Sequence, residues 1–143
     1  MTITVDGSPV DVKNRVLYKA VLLEGVPNMS LVIGYTNASW TLKADLAADY
    51  TAQPARAHAR SHGHDIATPL ASDDDRSEFS VMGEALTSGC HRTRNEVMPR
   101  QGTRDPWRLW NNYYRDRAML QDAPVETAPC AREGRPHGRR RRR

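Results

Sequence analysis

The hydrophobic and polar positions of the chain first alternate around a short polar turn. Residues 2–5 and 9–12 each alternate apolar with polar side chains, and Asp6-Gly7-Ser8 separates the two segments. Asp-Gly between alternating segments indicates a hairpin, because glycine adopts positive φ without steric cost. We therefore predict a β-hairpin over residues 2–12.

A longer apolar region follows, and turn residues divide it into two parts. Residues 16–23 are mostly apolar, residues 24–28 supply a turn, and Met29 to Ile33 form a continuous apolar run that ends at Gly34. A short apolar run bounded by turn residues is typical of a strand buried on both faces. We therefore predict a strand of a parallel sheet over Met29 to Ile33.

The residues after this run predict a turn and then a helix. Residues 34–39 are rich in types that form tight turns and cap helix N-termini, and Trp40 opens the helical pattern. Leu42 and Leu46 are four positions apart and would share the buried face of the helix. On this prediction, neighbouring Lys43 and Asp45 are turned away from that face.

Beyond residue 50 the pattern is weaker and rests on individual signals. Pro54 is placed to break the helix. Ser72 and the three aspartates that follow it could start a helix over residues 76–86, because acidic residues are favourable at a helix N-terminus. Asp105-Pro106 is typical of an N-cap followed by proline at the first helical position, and it predicts a helix from Trp107 to Gln121.

The large apolar residues are concentrated at one end of the chain. Fifteen of the 24 Val, Leu, Ile and Phe residues lie in residues 1–46, so burial strong enough to offset chain entropy is available mainly there. We therefore predict an ordered segment over residues 1–50 and an irregular segment over 51–104. A C-terminal helix over 105–121 and a disordered basic tail over 122–143 complete the prediction.

The net charge of +4 comes from the tail. Residues 1–121 contain 14 basic and 14 acidic residues, whereas residues 122–143 end in the run Arg139 to Arg143. Such a run could bind nucleic-acid phosphates, although without interleaved aromatic residues it is more typical of a solvated tail. Aromatic residues between 107 and 114 could stack on bases, but their helical spacing is more typical of packing. A small nucleic-acid-binding or interaction protein is the alternative function.

Other classes of protein are disfavoured. No apolar stretch approaches the roughly 20 residues of a membrane span, and we expect a cytoplasmic chain with no disulfide between Cys90 and Cys130. A zinc site would need paired ligands such as Cys-x-x-Cys, and no such pair occurs. We therefore expect no metal site from the available ligand types, which are His58, His62, His64, Cys90, His91 and Cys130.

Residues 27–46 closely resemble the end of the FAD domain in Baeyer-Villiger monooxygenases of the ethionamide-activating type. The resemblance rests on Pro27-Asn28-Met29 and on the ungapped run from Gly34 to Leu46. It continues at 63–65, more loosely, and at 99–108 with Asn112-Tyr113 and Asp116, in the family's order. It implies an α/β fold by descent: hairpin, strand, turn and helix from the end of a Rossmann-type FAD domain. A largely irregular C-terminal region with one helix would follow.

The same resemblance implies an activity and a cofactor site. Members of the family use NADPH to reduce FAD and insert one oxygen atom beside a ketone carbonyl or onto a sulfur. In them the turn matching 34–41 lies against the isoalloxazine ring, with the start of the next helix on its pyrimidine side. The resemblance therefore implies that Asn37 and Trp40 shape the flavin pocket, and that Thr41 and Leu42 contribute mainly backbone N–H groups.

The chain also departs from the family. The Gly-x-Gly-x-x-Gly turns that bind FAD and NADPH are absent from this sequence, and the family's catalytic arginine matches no residue here. We therefore assign no catalytic residue and expect the chain alone to bind neither cofactor and to be inactive. Residues 51–60, 90–94 and 128–143 lose the family's apolar pattern, which favours a truncated, locally frameshifted gene remnant.

Overall fold

The structure is a computed structural model that describes residues 2–61, 68–82 and 97–121, with the side chains of 54–61 left out of the description. Within these residues it contains three two-stranded antiparallel sheets and two α-helices, a mixed α/β composition. The paired strands are β1 (Thr4–Val5) with β2 (Ser8–Pro9), β3 (Leu17–Tyr18) with β4 (Leu22–Leu23), and β5 (Arg76–Ser80) with β6 (Arg100–Gly102). The helices are α1 (Trp40–Ser61) and α2 (Tyr113–Gln121).

The predicted hairpin at residues 2–12 is confirmed. β1 and β2 pair so that Val5 faces Ser8, with Asp6 and Gly7 between them. These two residues have φ of 50° and 81°. Positive φ at both central positions is what a two-residue turn needs to match the twist of the strands it joins.

The prediction of a parallel strand over Met29 to Ile33 is wrong. This segment makes irregular antiparallel contacts with the β3–β4 hairpin, including a bridge between Ser30 and Leu22 and a 2.8 Å bond from Leu31 N–H to the Val21 carbonyl. Val32, within this segment, is 42% exposed. A strand buried on both faces needs a sheet around it, and the described residues supply only this hairpin as a partner.

Helix α1 begins at Trp40 as predicted but buries a different face. Lys43, Leu46, Ala47 and Tyr50 are all buried, whereas Leu42 is 37% exposed. Their spacing of three, one and three residues marks one side of a helix. The prediction that Lys43 faces away was therefore wrong, because this lysine has a buried anionic partner.

Pro54 does not end α1, which continues to Ser61. Proline inside a helix removes one backbone hydrogen bond and usually kinks it. Alanine, the strongest helix former, occupies four of the eight positions 52–59 and offsets that cost. The prediction of a break at Pro54 was therefore wrong.

Ser72 caps a short turn rather than a helix. Its hydroxyl and the Asp75 carboxylate form a capping box around the 3-10 turn Asp73–Asp75, and β5 follows at once. β5 pairs with β6, and Arg76 binds the buried Glu24 at 2.5 Å. These distant partners override the local signal, so the predicted helix is wrong over residues 76–82 and its remainder lies outside the described residues.

Helix α2 begins at Tyr113, six residues later than predicted. Trp107 is buried in a turn and packs edge-on against Tyr18 with ring centroids 5.2 Å apart. The capping residue is Asn112, whose Oδ1 accepts a 3.1 Å bond from the N–H of Arg115. Asp105 instead binds the Trp110 indole N–H at 2.5 Å.

Two hydrophobic clusters lie on either side of the β3–β4 hairpin. Cluster A contains Val16, Tyr18, Val21, Leu22, Leu46, Ala47, Tyr50, Trp107 and Leu120. Cluster B contains Leu17, Ala20, Leu23, Val26, Ile33, Val81, Met82 and Leu109. Both clusters combine side chains from early and late parts of the chain, and cluster A brings α2 against α1 through Leu120.

Candidate functional site

Residues 36–42 form an exposed turn between two buried residues, Tyr35 and Lys43. We call these seven residues the exposed turn. All four residues implicated in cofactor binding lie within it, namely Asn37, Trp40, Thr41 and Leu42. The structure therefore brings the predicted site residues together on one accessible stretch that includes the first turn of α1.

The N-terminus of α1 offers hydrogen-bond donors. The Ser39 hydroxyl lies 3.3 Å from the Thr41 N–H and 2.7 Å from the Thr41 hydroxyl, as a capping side chain does. No acidic residue occupies the first turn of the helix. The partial positive charge of the helix end is thus left available to an electron-rich group outside the chain.

Gly34 allows Trp40 to fold back onto the chain. A Cβ atom at position 34 would lie 2.2 Å from Cδ2 of the Trp40 indole. The ring therefore rests on bare backbone that only glycine provides at this position. Trp40 is still 59% exposed, so its outer part can cover a ligand.

A buried polar cluster lies beneath the exposed turn. Asp116 Oδ2 accepts a 2.8 Å hydrogen bond from the Tyr35 hydroxyl and a 2.8 Å ion-pair bond from the Lys43 ammonium. Desolvation by burial lowers the pKa of Lys43, and the Asp116 charge opposes that shift. Desolvation also raises the pKa of Tyr35, and its bond to Asp116 adds to the increase.

Sequence reasoning missed this cluster, although one signal could have located it. Asp116 stands four residues before the buried Leu120 and therefore on the same face of α2. A carboxylate on an apolar helix face requires a cation, since an unpaired buried charge is very costly. That requirement predicts a basic partner without identifying it.

A second polar pair joins the exposed turn to the C-terminal segment. The Thr36 N–H donates to Asn111 Oδ1 at 2.9 Å, and Asn111 Nδ2 donates to the Thr36 hydroxyl at 2.5 Å. Asn111 has a φ of 52°, which asparagine adopts more readily than most residues. Thr36 is thereby bound through both its backbone and its side chain.

Other predicted candidates do not form a site in the described part of the chain. No group of three or more potential metal ligands comes together there. Five of the six residues considered for zinc lie outside the described residues, as do Arg139 to Arg143, and the side chain of His58 is likewise not described. Among the described helices, none is long and apolar enough to cross a membrane.

The chain is similar to curated flavoproteins over most of its length. It is 43% identical over 120 residues to the probable FAD-binding monooxygenase AlmA of Acinetobacter baylyi, covering 84% of this chain and 24% of the relative. It is 36% identical over 125 residues to the FAD-containing monooxygenase EthA of Mycobacterium tuberculosis, covering 87% of this chain and 25% of the relative. No protein-family model and no solved structure matches the chain significantly.

Both relatives are FAD-binding or FAD-containing monooxygenases. The chain is homologous to one part of the FAD-containing monooxygenases, and it spans about a quarter of the length of the relatives it matches. The predicted resemblance is therefore confirmed at the level of FAD-containing monooxygenases.

Proposed function

We propose that this chain forms one wall of the flavin site in an FAD- and NADPH-dependent monooxygenase of the Baeyer-Villiger type. The whole enzyme would oxidise ketones or sulfur compounds. The observation that carries the proposal is the exposed N-terminus of α1, placed within a homologue of FAD-containing monooxygenases. A helix N-terminus without an acidic residue in its first turn favours a partner that carries or develops negative charge.

The groups of the exposed turn fit the edge of an isoalloxazine ring. The Leu42 N–H would donate to the pyrimidine side, and the Thr41 N–H would do so in exchange for its 3.3 Å bond to the Ser39 hydroxyl. The Asn37 amide would add a polar contact, and the Trp40 indole would cover one face. When bound, the flavin supplies the redox chemistry. The contribution of these residues is to orient the ring and stabilise negative charge on it.

The rest of FAD has no counterpart in this sequence. Phosphate binding in such enzymes depends on a glycine-rich turn that leads into a helix, and no Gly-x-Gly-x-x-Gly run occurs here. We therefore propose that flavin binding and activity require the regions that the relatives have in addition. Titration of the purified chain with FAD should leave the fluorescence of the flavin and the stability of the chain unchanged.

The flavin-facing role is best tested in a chimera. We would replace the matching residues of the Acinetobacter baylyi relative with this chain and introduce Thr41→Asp. A carboxylate in the first turn stabilises a helix by roughly 0.3–1 kcal/mol, so the fold is preserved. The same charge opposes negative charge on the flavin, so we expect at least a tenfold weaker affinity for FAD, measured by equilibrium dialysis.

Thr41→Ser is the matched control, because it keeps the hydroxyl and adds no charge. It should retain FAD as the unmodified chimera does. If Thr41→Asp and Thr41→Ser chimeras bind FAD with equal affinity, the N-terminus of α1 does not face the flavin and the proposal is wrong.

A further inference from the structure

The two ends of the exposed turn are tied to one carboxylate oxygen. Tyr35 lies immediately before the turn and Lys43 immediately after it, and both donate to Asp116 Oδ2 at 2.8 Å. The donors stand 81 and 73 residues away from Asp116 in sequence. A residue of the C-terminal helix thus fixes the distance between the ends of the turn.

Asn111 adds a separate attachment at the start of the turn. Its amide group accepts from the backbone of Thr36 and donates to the hydroxyl of Thr36. This pair is exposed, in contrast to the buried Asp116 cluster. Two independent groups of contacts therefore run from residues 111–116 to the segment 35–43.

The buried cluster contributes geometry rather than exceptional stability. Asp116 and Lys43 are both 0% exposed, and burying such a pair offsets much of the Coulombic attraction by desolvation. Apolar side chains of similar volume would often give equal stability but would not fix donor and acceptor directions. The directional bonds at Asp116 matter most if the exposed turn must be held in one position.

We propose that Asn111 and Asp116 are positioning residues that hold the exposed turn in place for the flavin. This inference rests on the proposed function, since it assigns a purpose to the position of that turn. Neither residue touches the flavin on this proposal. They act through Thr36, Tyr35 and Lys43.

The first test measures amide hydrogen exchange in the full 143-residue chain. Asn111→Ala should speed exchange of the amides of the exposed turn about tenfold, as expected when one or two ordinary hydrogen bonds are lost. The amides of β6 should not change. The control is Asn112→Ser, which alters the neighbouring asparagine and keeps a residue that can cap α2.

The Asp116 contacts need a variant that keeps the fold. Removing one charge alone would leave the other buried and unpaired, so Lys43→Met and Asp116→Leu are introduced together. Faster exchange in the exposed turn with unchanged exchange in β6 is the expected result. Unchanged exchange of the turn in both this variant and Asn111→Ala would overturn the inference.

The second test separates the inference from the proposed function. In the chimera, Asn111→Ala should release FAD about tenfold faster than Asn112→Ser, and should shift the flavin absorption spectrum. Faster exchange of the turn without any change in FAD release or spectrum would support the attachment but overturn the claim that it positions the turn for the flavin. The Thr41→Asp and Thr41→Ser chimeras decide separately whether the turn faces the flavin. If Asn111→Ala leaves exchange of the turn unchanged or slows it, and FAD release stays normal, the positioning role itself is overturned.

Discussion

At the scale of single residues, the site depends on contacts between positions far apart in sequence. Asp116 meets Lys43 and Tyr35, which are 73 and 81 residues away. The family resemblance assigns a role to four exposed residues of the turn one by one, and their role at the flavin stays a prediction. The buried face of α1 could not be predicted, because a lysine is expected to face solvent unless its anionic partner is known.

Tyr35 gives this cluster a testable dependence on pH. Desolvation and the bond to Asp116 raise the pKa of Tyr35 above its ordinary value of 10.0. Above pH 10 the unfolded chain therefore loses the phenol proton, while the folded chain still keeps it. The stability that Tyr35 contributes is therefore complete below pH 10 and is lost as pH rises above it.

We expect wild type to lose about 1.4 kcal/mol of stability relative to Tyr35→Phe between pH 8 and pH 11, because pH 11 lies one pH unit above the unfolded pKa. Urea unfolding of both proteins at pH 8 and pH 11 measures this difference. Lys43 is present in both proteins, so its opposite trend largely cancels in the comparison. A stability difference that stays constant across this range would show that the phenol ionises equally in both states.

At the scale of elements, the sequence pattern predicted an element correctly where the residues that stabilise it lie close to it in sequence. The β1–β2 hairpin and the start of α1 follow from residues within a few positions of each. β5 depends on pairing with β6, whose partner residues lie 20 and 26 positions later. The Gln101 side chain binds the backbone of Leu109, and α2 begins only after this contact. Tertiary contacts therefore decided β5 and the start of α2, which sequence patterns predicted wrongly.

The junction between Gly34 and α1 provides a prediction at this scale. Gly34→Ala would place a Cβ atom 2.2 Å from the Trp40 ring, and we expect it to cost about 1–3 kcal/mol because the ring must move. When Trp40 is replaced by alanine, that clash is removed. The same substitution should then stabilise the chain by about 0.4–1 kcal/mol, because alanine restricts the unfolded state.

Urea unfolding of wild type, both single variants and the double variant measures this change of sign. The result gives the coupling between position 34 and Trp40, the first residue of α1. An equal cost for Gly34→Ala in both backgrounds would mean that Trp40 does not rest on position 34.

At the scale of the whole molecule, the β3–β4 hairpin joins the two hydrophobic clusters. Successive residues of a strand point to opposite sides, so Tyr18 enters cluster A whereas Leu17 enters cluster B. Both clusters also need later residues, including Trp107 and Val81. Counting apolar residues locates most of the burial before residue 47, but it does not show that a few later side chains complete both clusters.

This shared hairpin predicts that the two clusters unfold together. Leu23→Val removes one buried methylene from cluster B and should cost about 1 kcal/mol. Because unfolding is cooperative, the fluorescence of Trp107 in cluster A should report the same loss, measured with Trp40 and Trp110 replaced by phenylalanine. Val97→Ala, at a residue that is 68% exposed, is the control and should change stability by less than about 0.5 kcal/mol. If Leu23→Val does not shift the unfolding transition that Trp107 reports, the two clusters unfold separately. The contacts of α2 with α1 in cluster A would then persist after cluster B has unfolded.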